Sequence, residues 1–273
     1  GLWGFNVTAF MKDQFGLTGI RSGGIDEYGR VVFDPGSTYQ STTHEYQVML
    51  NLDYQTVRGL ELQLRRRLQN YWGIDLRYQY SQARTNAAPP ELELQKRMDE
   101  GDQVSRKEIK SEVNQPHVFS AILRFAVGQN TPDIRFGHLL RNSRLTLTAR
   151  AASGLPFTPT TNFSGSCGAA ACNRLERNSG RGPMTFNVDL LAEKDFRHGN
   201  LRYGFFVRTT NLLNRTNCVQ VFTTTGRCDG GAFTQARLQI ENANATGTST
   251  MFYDRPDYKA PPRSINVGFT VGF

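Results

Sequence analysis

Eight stretches of this chain alternate apolar and polar residues with a period of two. In the clearest, Trp72, Ile74, Leu76, Tyr78 and Tyr80 alternate with Gly73, Asp75, Arg77, Gln79 and Ser81. The last is as clean, with Ile265, Val267, Phe269, Val271 and Phe273 set against Ser264, Asn266, Gly268, Thr270 and Gly272. Trp3, Phe5, Val7, Ala9 and Met11 open the chain in the same way, and residues 119–125, 145–151, 186–192 and 201–207 repeat it. Side chains along a strand point alternately to its two faces, so each stretch predicts a strand with one apolar and one polar face. A helix that crosses a membrane needs about 20 consecutive apolar residues. The longest apolar run here, counting Gly and Cys, is the six residues 167–172. One membrane architecture remains, the β-barrel, whose apolar signal is spread over alternate positions.

Residues 46–68 set the scale. Tyr46, Val48, Leu50, Leu52 and Tyr54 share even parity with Leu60, Leu62, Leu64 and Leu68. Preserved parity favours one long strand over a hairpin, and at 3.3 Å per residue it reaches about 75 Å. A tilted membrane strand needs only about 9–11 residues, so this one is expected to project well beyond a bilayer. Thr56 and Arg58 fall on the apolar parity in the projecting part, and Arg66 falls at the opposite interface.

The connections alternate in length. Residues 68–71 and 197–200 read as tight turns and 128–140 as a medium one, whereas 21–43, 84–115, 154–182 and 213–262 are long. A compact soluble domain rarely carries four such loops. Short turns at one end and long loops at the other are the pattern of an outer-membrane barrel. The charge-dense segment 91–112 reads as a solvated loop. With the long loops outside, the last strand runs inward. That polarity places Trp72, Phe125, Tyr203 and Phe273 near the periplasmic interface and Tyr80, Phe119 and Phe186 near the outer one, as two aromatic girdles.

The formal net charge is +8, and only six of the 32 basic residues are Lys. The charge is scattered, with its densest point at Arg65-Arg66-Arg67, so no nucleic-acid footprint is expected. The inward parity carries Arg77, Arg124, Arg150, Arg202 and Arg208, which predicts an electropositive lumen wall and a preference for anionic solutes. Phe10, Ile122, Leu191 and Phe206 share that parity and are expected to pack on a domain inside the barrel.

Cys167/Cys172 and Cys218/Cys228 form two short-range pairs in stretches rich in Gly, Asn, Ser and Thr. Neither is C-x-x-C and neither has a nearby His, which argues against zinc. Two local loop disulfides in an oxidising compartment are the expectation, with free thiols as the alternative. His44, His117, His138 and His198 are widely spaced, and Asp189 with Glu193 reads as polar lumen lining. No catalytic constellation, metal set or cofactor motif emerges, so no enzyme is expected. Residues 1–15 lack a secretory signal, and the chain opens inside a strand pattern, as a piece of a longer protein would.

Several motifs in order resemble the C-terminal barrel of TonB-dependent outer-membrane receptors, particularly the Oar-like group. They are Arg58-Gly59-Leu60-Glu61-Leu62, Tyr78-Gln79-Tyr80-Ser81, Gln115-Pro116-His117 and Ser153-Gly154-Leu155-Pro156-Phe157-Thr158-Pro159. Asn187-Val188-Asp189-Leu190, Lys194-Asp195-Phe196 and Asn211-Leu212-Leu213-Asn214-Arg215 follow, and the chain ends on Phe273. The resemblance implies a bacterial outer-membrane location. It implies a 22-strand antiparallel barrel, of which about eight up-and-down strands lie in residues 1–273, with the plug domain and TonB box absent from this stretch. The implied partners are outer-membrane lipid, the receptor's own plug, the TonB complex and an unknown solute. The implied role is TonB-energised transport, and Phe269, Val271 and Phe273 are implied to belong to a C-terminal assembly signal.

Two rival readings use the same pattern. A self-contained eight-stranded barrel would close on itself as a porin or adhesin. A soluble glycan-binding β-sandwich would bury the alternating face under a second sheet.

Overall fold

The computed structural model describes residues 1–25, 31–33, 46–87, 108–128, 140–159, 176–199, 201–229 and 255–272. Cys167, Cys172, His44, His138 and Phe273 lie outside the described residues, as does most of the charge-dense segment 91–112.

Eight long strands form one antiparallel meander. They are β1 (Trp3–Ile25), β3 (Tyr46–Gln69), β4 (Trp72–Thr85), β6 (His117–Val127), β7 (Ser143–Ala152), β10 (Thr185–His198), β11 (Leu201–Thr210) and β12 (Ser264–Gly272). Each pairs with the long strand before and after it, in the order β12-β11-β10-β7-β6-β4-β3-β1. The short strand β2 (Val31–Phe33) folds back on Gly23–Ile25, and β5 (Ile109–Lys110) extends the β4 edge. A separate pair, β8 (Pro156–Phe157) with β9 (Gly180–Arg181), belongs to the loops. The sheet is open, with β12 at one edge and β1–β2 at the other.

All eight alternating stretches are strands, and residues 46–69 are a single one. The β3–β4, β6–β7 and β10–β11 connections leave from one end of the sheet, and the β4–β6, β7–β10 and β11–β12 connections from the other. In the tightest, Asn70 and Tyr71 both adopt positive φ (52° and 73°), the twist that a two-residue hairpin needs. One boundary differs from expectation. Residues 21–25 are strand, not loop, and β1 runs 23 residues. Gly16 (φ 76°) sits where the register slips between Phe15 and Leu17. A second shift before Thr18 undoes the slip, so the strand keeps its parity, and its second half does not show as alternation because Ile20 and Arg21 stand at positions of the opposite character.

The register keeps one parity across the whole sheet. Trp3, Arg66, Ile74, Leu123, Leu147, Leu190, Thr209 and Ile265 lie side by side in one row. Trp72, Phe125, Leu145, Ala192, Val207 and Val267 form the next row on the same face. This face is uncovered, with Phe5 65% and Phe269 63% exposed. The only other sheet among the described residues is the two-residue pair β8–β9, so no second layer covers it. Among the described residues few apolar side chains are buried; Val127, Ala152 and Val188 are among them.

The strands are staggered. The row that starts at Trp72, the first residue of β4, reaches Val207, six residues past the start of β11 at Leu201. Four strand steps at about 4.8 Å against six residues at about 3.3 Å give a tilt of roughly 45° relative to the line of tight turns.

Candidate functional site

The opposite face of the sheet is polar. Arg77, Arg124, Arg150, Arg202 and Arg208 all lie on it, as their parity requires, together with Arg65 and Arg144. These last two were equally legible, since Arg65 is odd in a strand whose apolar residues are even. The face is not uniformly electropositive. Asp75, 3% exposed, accepts from Arg65 Nε at 3.0 Å, Arg77 Nε at 3.2 Å and Gln63 Nε2 at 3.2 Å. Arg144 reaches Glu193 at 3.1 Å and Asp195 at 3.4 Å. Arg124, Arg150, Arg202 and Arg208 are exposed, and none of them has an ion pair among the described residues.

Two of the four inward apolar residues find partners within the sheet itself. Phe10 faces Gly59 and Phe206 faces Gly268 in register. A Cβ on Gly59 would stand 2.6 Å from Phe10 Cζ, and one on Gly268 would collide with the Phe206 ring. Each ring packs against a glycine on the adjacent strand, an aromatic–glycine pairing that reinforces sheets. Phe10 and Phe206 thus each have a packing partner within the sheet.

At the long-loop end of the polar face the loops enclose a groove of about 960 Å³. Thr185, Asn187 and Asp189 of β10 and Thr210 of β11 form its floor, and Leu155, Phe157, Val219 and Pro261 are among its walls. Cross-loop hydrogen bonds hold these walls together. Arg181 Nη1 donates to Asn114 O at 3.2 Å and to Gly154 O at 2.9 Å. Arg177 donates to Ala87 O at 3.0 Å and Glu112 Oε1 at 3.1 Å, and Asn178 Nδ2 to Lys110 O at 2.7 Å. Asn217 closes a ring with the Phe186 backbone, accepting from its N–H at 2.9 Å and donating to its carbonyl at 2.8 Å. The Phe157 ring packs over Gly180 and Gly226, where a Cβ would approach it to 2.7 and 2.8 Å.

The disulfide Cys218–Cys228, with Cα atoms 5.4 Å apart, pins the loop that supplies Val219 and Val221. Val219 N–H donates to Tyr258 O at 2.8 Å, tying this loop to the 3-10 turn Pro256–Tyr258. There Arg255 forks onto Asp257 at 3.0 and 2.8 Å. That hydrogen-bonded guanidinium holds the Asp257 carboxyl below the usual carboxylate range.

The groove's chemistry differs from that of the arginine wall. Among the described residues its ionisable lining consists of Glu112 and Asp189, with no Lys or Arg. Asp189 Oδ1 is fixed by Asn187 Nδ2 and Asn211 N–H, both at 2.8 Å. His117 is elsewhere, on the apolar face, 2.8 Å from the Tyr78 hydroxyl. Nothing in the sequence pattern pointed to the groove, because residues far apart in the chain build it.

No protein-family model matches this chain. A search of curated proteins finds no match either.

Proposed function

We propose that the chain is part of the wall and surface loops of a TonB-dependent receptor barrel in a bacterial outer membrane. The carrying observation is the single apolar parity that runs unbroken through eight neighbouring strands and stays uncovered. Water penalises such a surface, and a lipid bilayer does not. The tilt of roughly 45° is close to the 35–45° of outer-membrane strands. Tight turns at one end and long loops at the other agree with that setting. The open edges at β1 and β12 agree with a wall that continues into further strands, 22 in the receptor family. An exposed edge would otherwise invite aggregation. In this reading loops capture a solute at the groove, a plug elsewhere in the receptor rearranges under TonB pull, and the solute crosses inside the barrel.

The test is the native polypeptide's size and location. An antibody to residues 213–262 is used to blot the outer-membrane fraction of the source cells. A membrane band about three times 30.7 kDa is expected for a plugged 22-strand barrel. A membrane band near 30.7 kDa would replace the receptor by a closed eight-stranded barrel, and a soluble band would replace both by a sandwich.

A further inference from the structure

The groove at the long-loop end presents acceptors. Every Asn in its described lining, and Gln115, turns the amide nitrogen toward an oxygen of the protein. Gln115 Nε2 donates to Ser153 O at 3.1 Å, Asn178 Nδ2 to Lys110 O at 2.7 Å and Asn187 Nδ2 to Asp189 Oδ1 at 2.8 Å. Asn211 Nδ2 donates to Arg215 O at 3.0 Å and Asn217 Nδ2 to Phe186 O at 2.8 Å. Carbonyls and carboxylates only accept, so these partners fix which end of each amide is the nitrogen. The side-chain oxygens of Gln115, Asn178 and Asn187 are left without a donor among the described residues. Asn178 is 4% exposed, and an acceptor at that depth is costly to leave unpaired.

The two carboxylates are arranged alike. Asp189 takes both of its hydrogen bonds on Oδ1, and Glu112 takes Arg177 on Oε1. Asp189 Oδ2 and Glu112 Oε2 therefore have no partner among the described residues. Leu155, Phe157, Val219, Val221 and Pro261 add apolar walls. Arg150, exposed and in register with Asn187, marks the border between the groove and the arginine wall.

Acceptors, negative charge and apolar walls together complement a cationic donor carried on an apolar frame. We propose that the groove binds an organic cation, a guanidinium or ammonium group on an apolar frame as in a basic peptide. Asp189 Oδ2 is its principal acceptor, with Glu112 and the amide oxygens of Asn178 and Asn187 as further ones. This inference rests on the reading of the groove as the place of solute capture, and adds the solute's chemical class.

The test titrates the native full-length protein with three peptides by calorimetry. They are acetyl-Phe-Arg-Phe-amide, its citrulline analogue, which keeps the shape and loses the charge, and its glutamate analogue. The arginine peptide should bind about tenfold tighter than the citrulline one, as a charged hydrogen bond allows. Asp189→Asn keeps an oxygen for Asn187 and Asn211 and replaces only the free one, so it should bring these two peptides to within about twofold of each other. Glu112→Gln, at a more exposed carboxylate, should weaken the arginine peptide about threefold. Asp195→Asn, at the turn end of the same face, should change nothing, and Arg150→Gln should not weaken the arginine peptide. Equal binding of the arginine and citrulline peptides, tighter binding of the glutamate peptide, no binding of any of them, or an unaltered D189N overturns the proposal. The blot for size and location is a separate readout. A soluble band there overturns the receptor reading and leaves the peptide result standing.

Discussion

The Arg66 guanidinium lies 3.6 Å from the centroid of the Trp72 ring and 5.9 Å from that of Trp3. Its parity is apolar, yet it is 7% exposed, because Nη1 turns toward the hairpin and donates to the carbonyls of Gln69 (3.1 Å) and Trp72. The charge thus caps the tight turn and is sheltered by aromatic faces. Arg66→Met strands two carbonyl acceptors and removes the cation–π contact. A stability loss of about 2–4 kcal/mol is expected, read from the urea midpoint of the folded protein in detergent.

The glycines under the inward phenylalanines should be intolerant of any side chain. At Gly59 a Cβ would meet Phe10 at 2.6 Å, whereas at Gly4, on the same face, nothing lies within 4 Å. Gly59→Val is expected to cost about 1–3 kcal/mol through overpacking. Gly4→Val should leave the same urea midpoint nearly unmoved.

A lipid-facing charge should be costly where a lumen-facing one is not. Leu147 sits in mid-row on the apolar face, and Thr148 is its neighbour on the polar face. Leu147→Arg is expected to destabilise the inserted protein by about 2–4 kcal/mol. Thr148→Arg should stay within about 0.5 kcal/mol of the parent, as a surface substitution does. Equal effects of the two would sink the membrane reading of this face.

Acid should loosen the 255–262 segment in a way traceable to one carboxylate. The Arg255 hydrogen bond holds the Asp257 pKa below its ordinary value. The pair's contribution is complete above the unfolded carboxylate pKa of about 3.9 and is lost as pH falls through the lower folded value. Protease cleavage of this loop should therefore rise below about pH 4 in the parent. In Asp257→Asn that acid-dependent part should disappear, and because the pair is exposed the urea midpoint at pH 7 should not move measurably.

Strand identity and facing were legible because both follow from period two, and a half-polar sheet enforces period two residue by residue. Trp72–Tyr80 and Ile265–Val271 face as their alternation says. The second half of β1 does not show as alternation because Ile20 and Arg21 break the apolar–polar order there, although the register on either side of Gly16 keeps the same parity. The five arginines lie on the polar face, as their parity requires, but Arg77 is tied to the carboxylate of Asp75, two residues before it. Same-strand charge pairs of that kind depend on rotamers, which parity does not report. The groove was out of reach altogether. Contacts such as Asn217 with Phe186 and Arg181 with Asn114 span 31 and 67 residues, and no local pattern encodes them. Of the proposed cysteine pairs, Cys218–Cys228 is a disulfide.

The meander also fixes an order of assembly. Closing a loop costs entropy that grows with the logarithm of its length. The hairpins closed by residues 70–71 and 199–200 bring their strands together almost without that cost, while β11 and β12 wait on the closure of residues 211–263. The two tightly turned hairpins are thus the natural nuclei, ready to form in microseconds, and the last strand is the slow addition. A cell that handles this chain must keep that late, apolar strand from other partners while it waits.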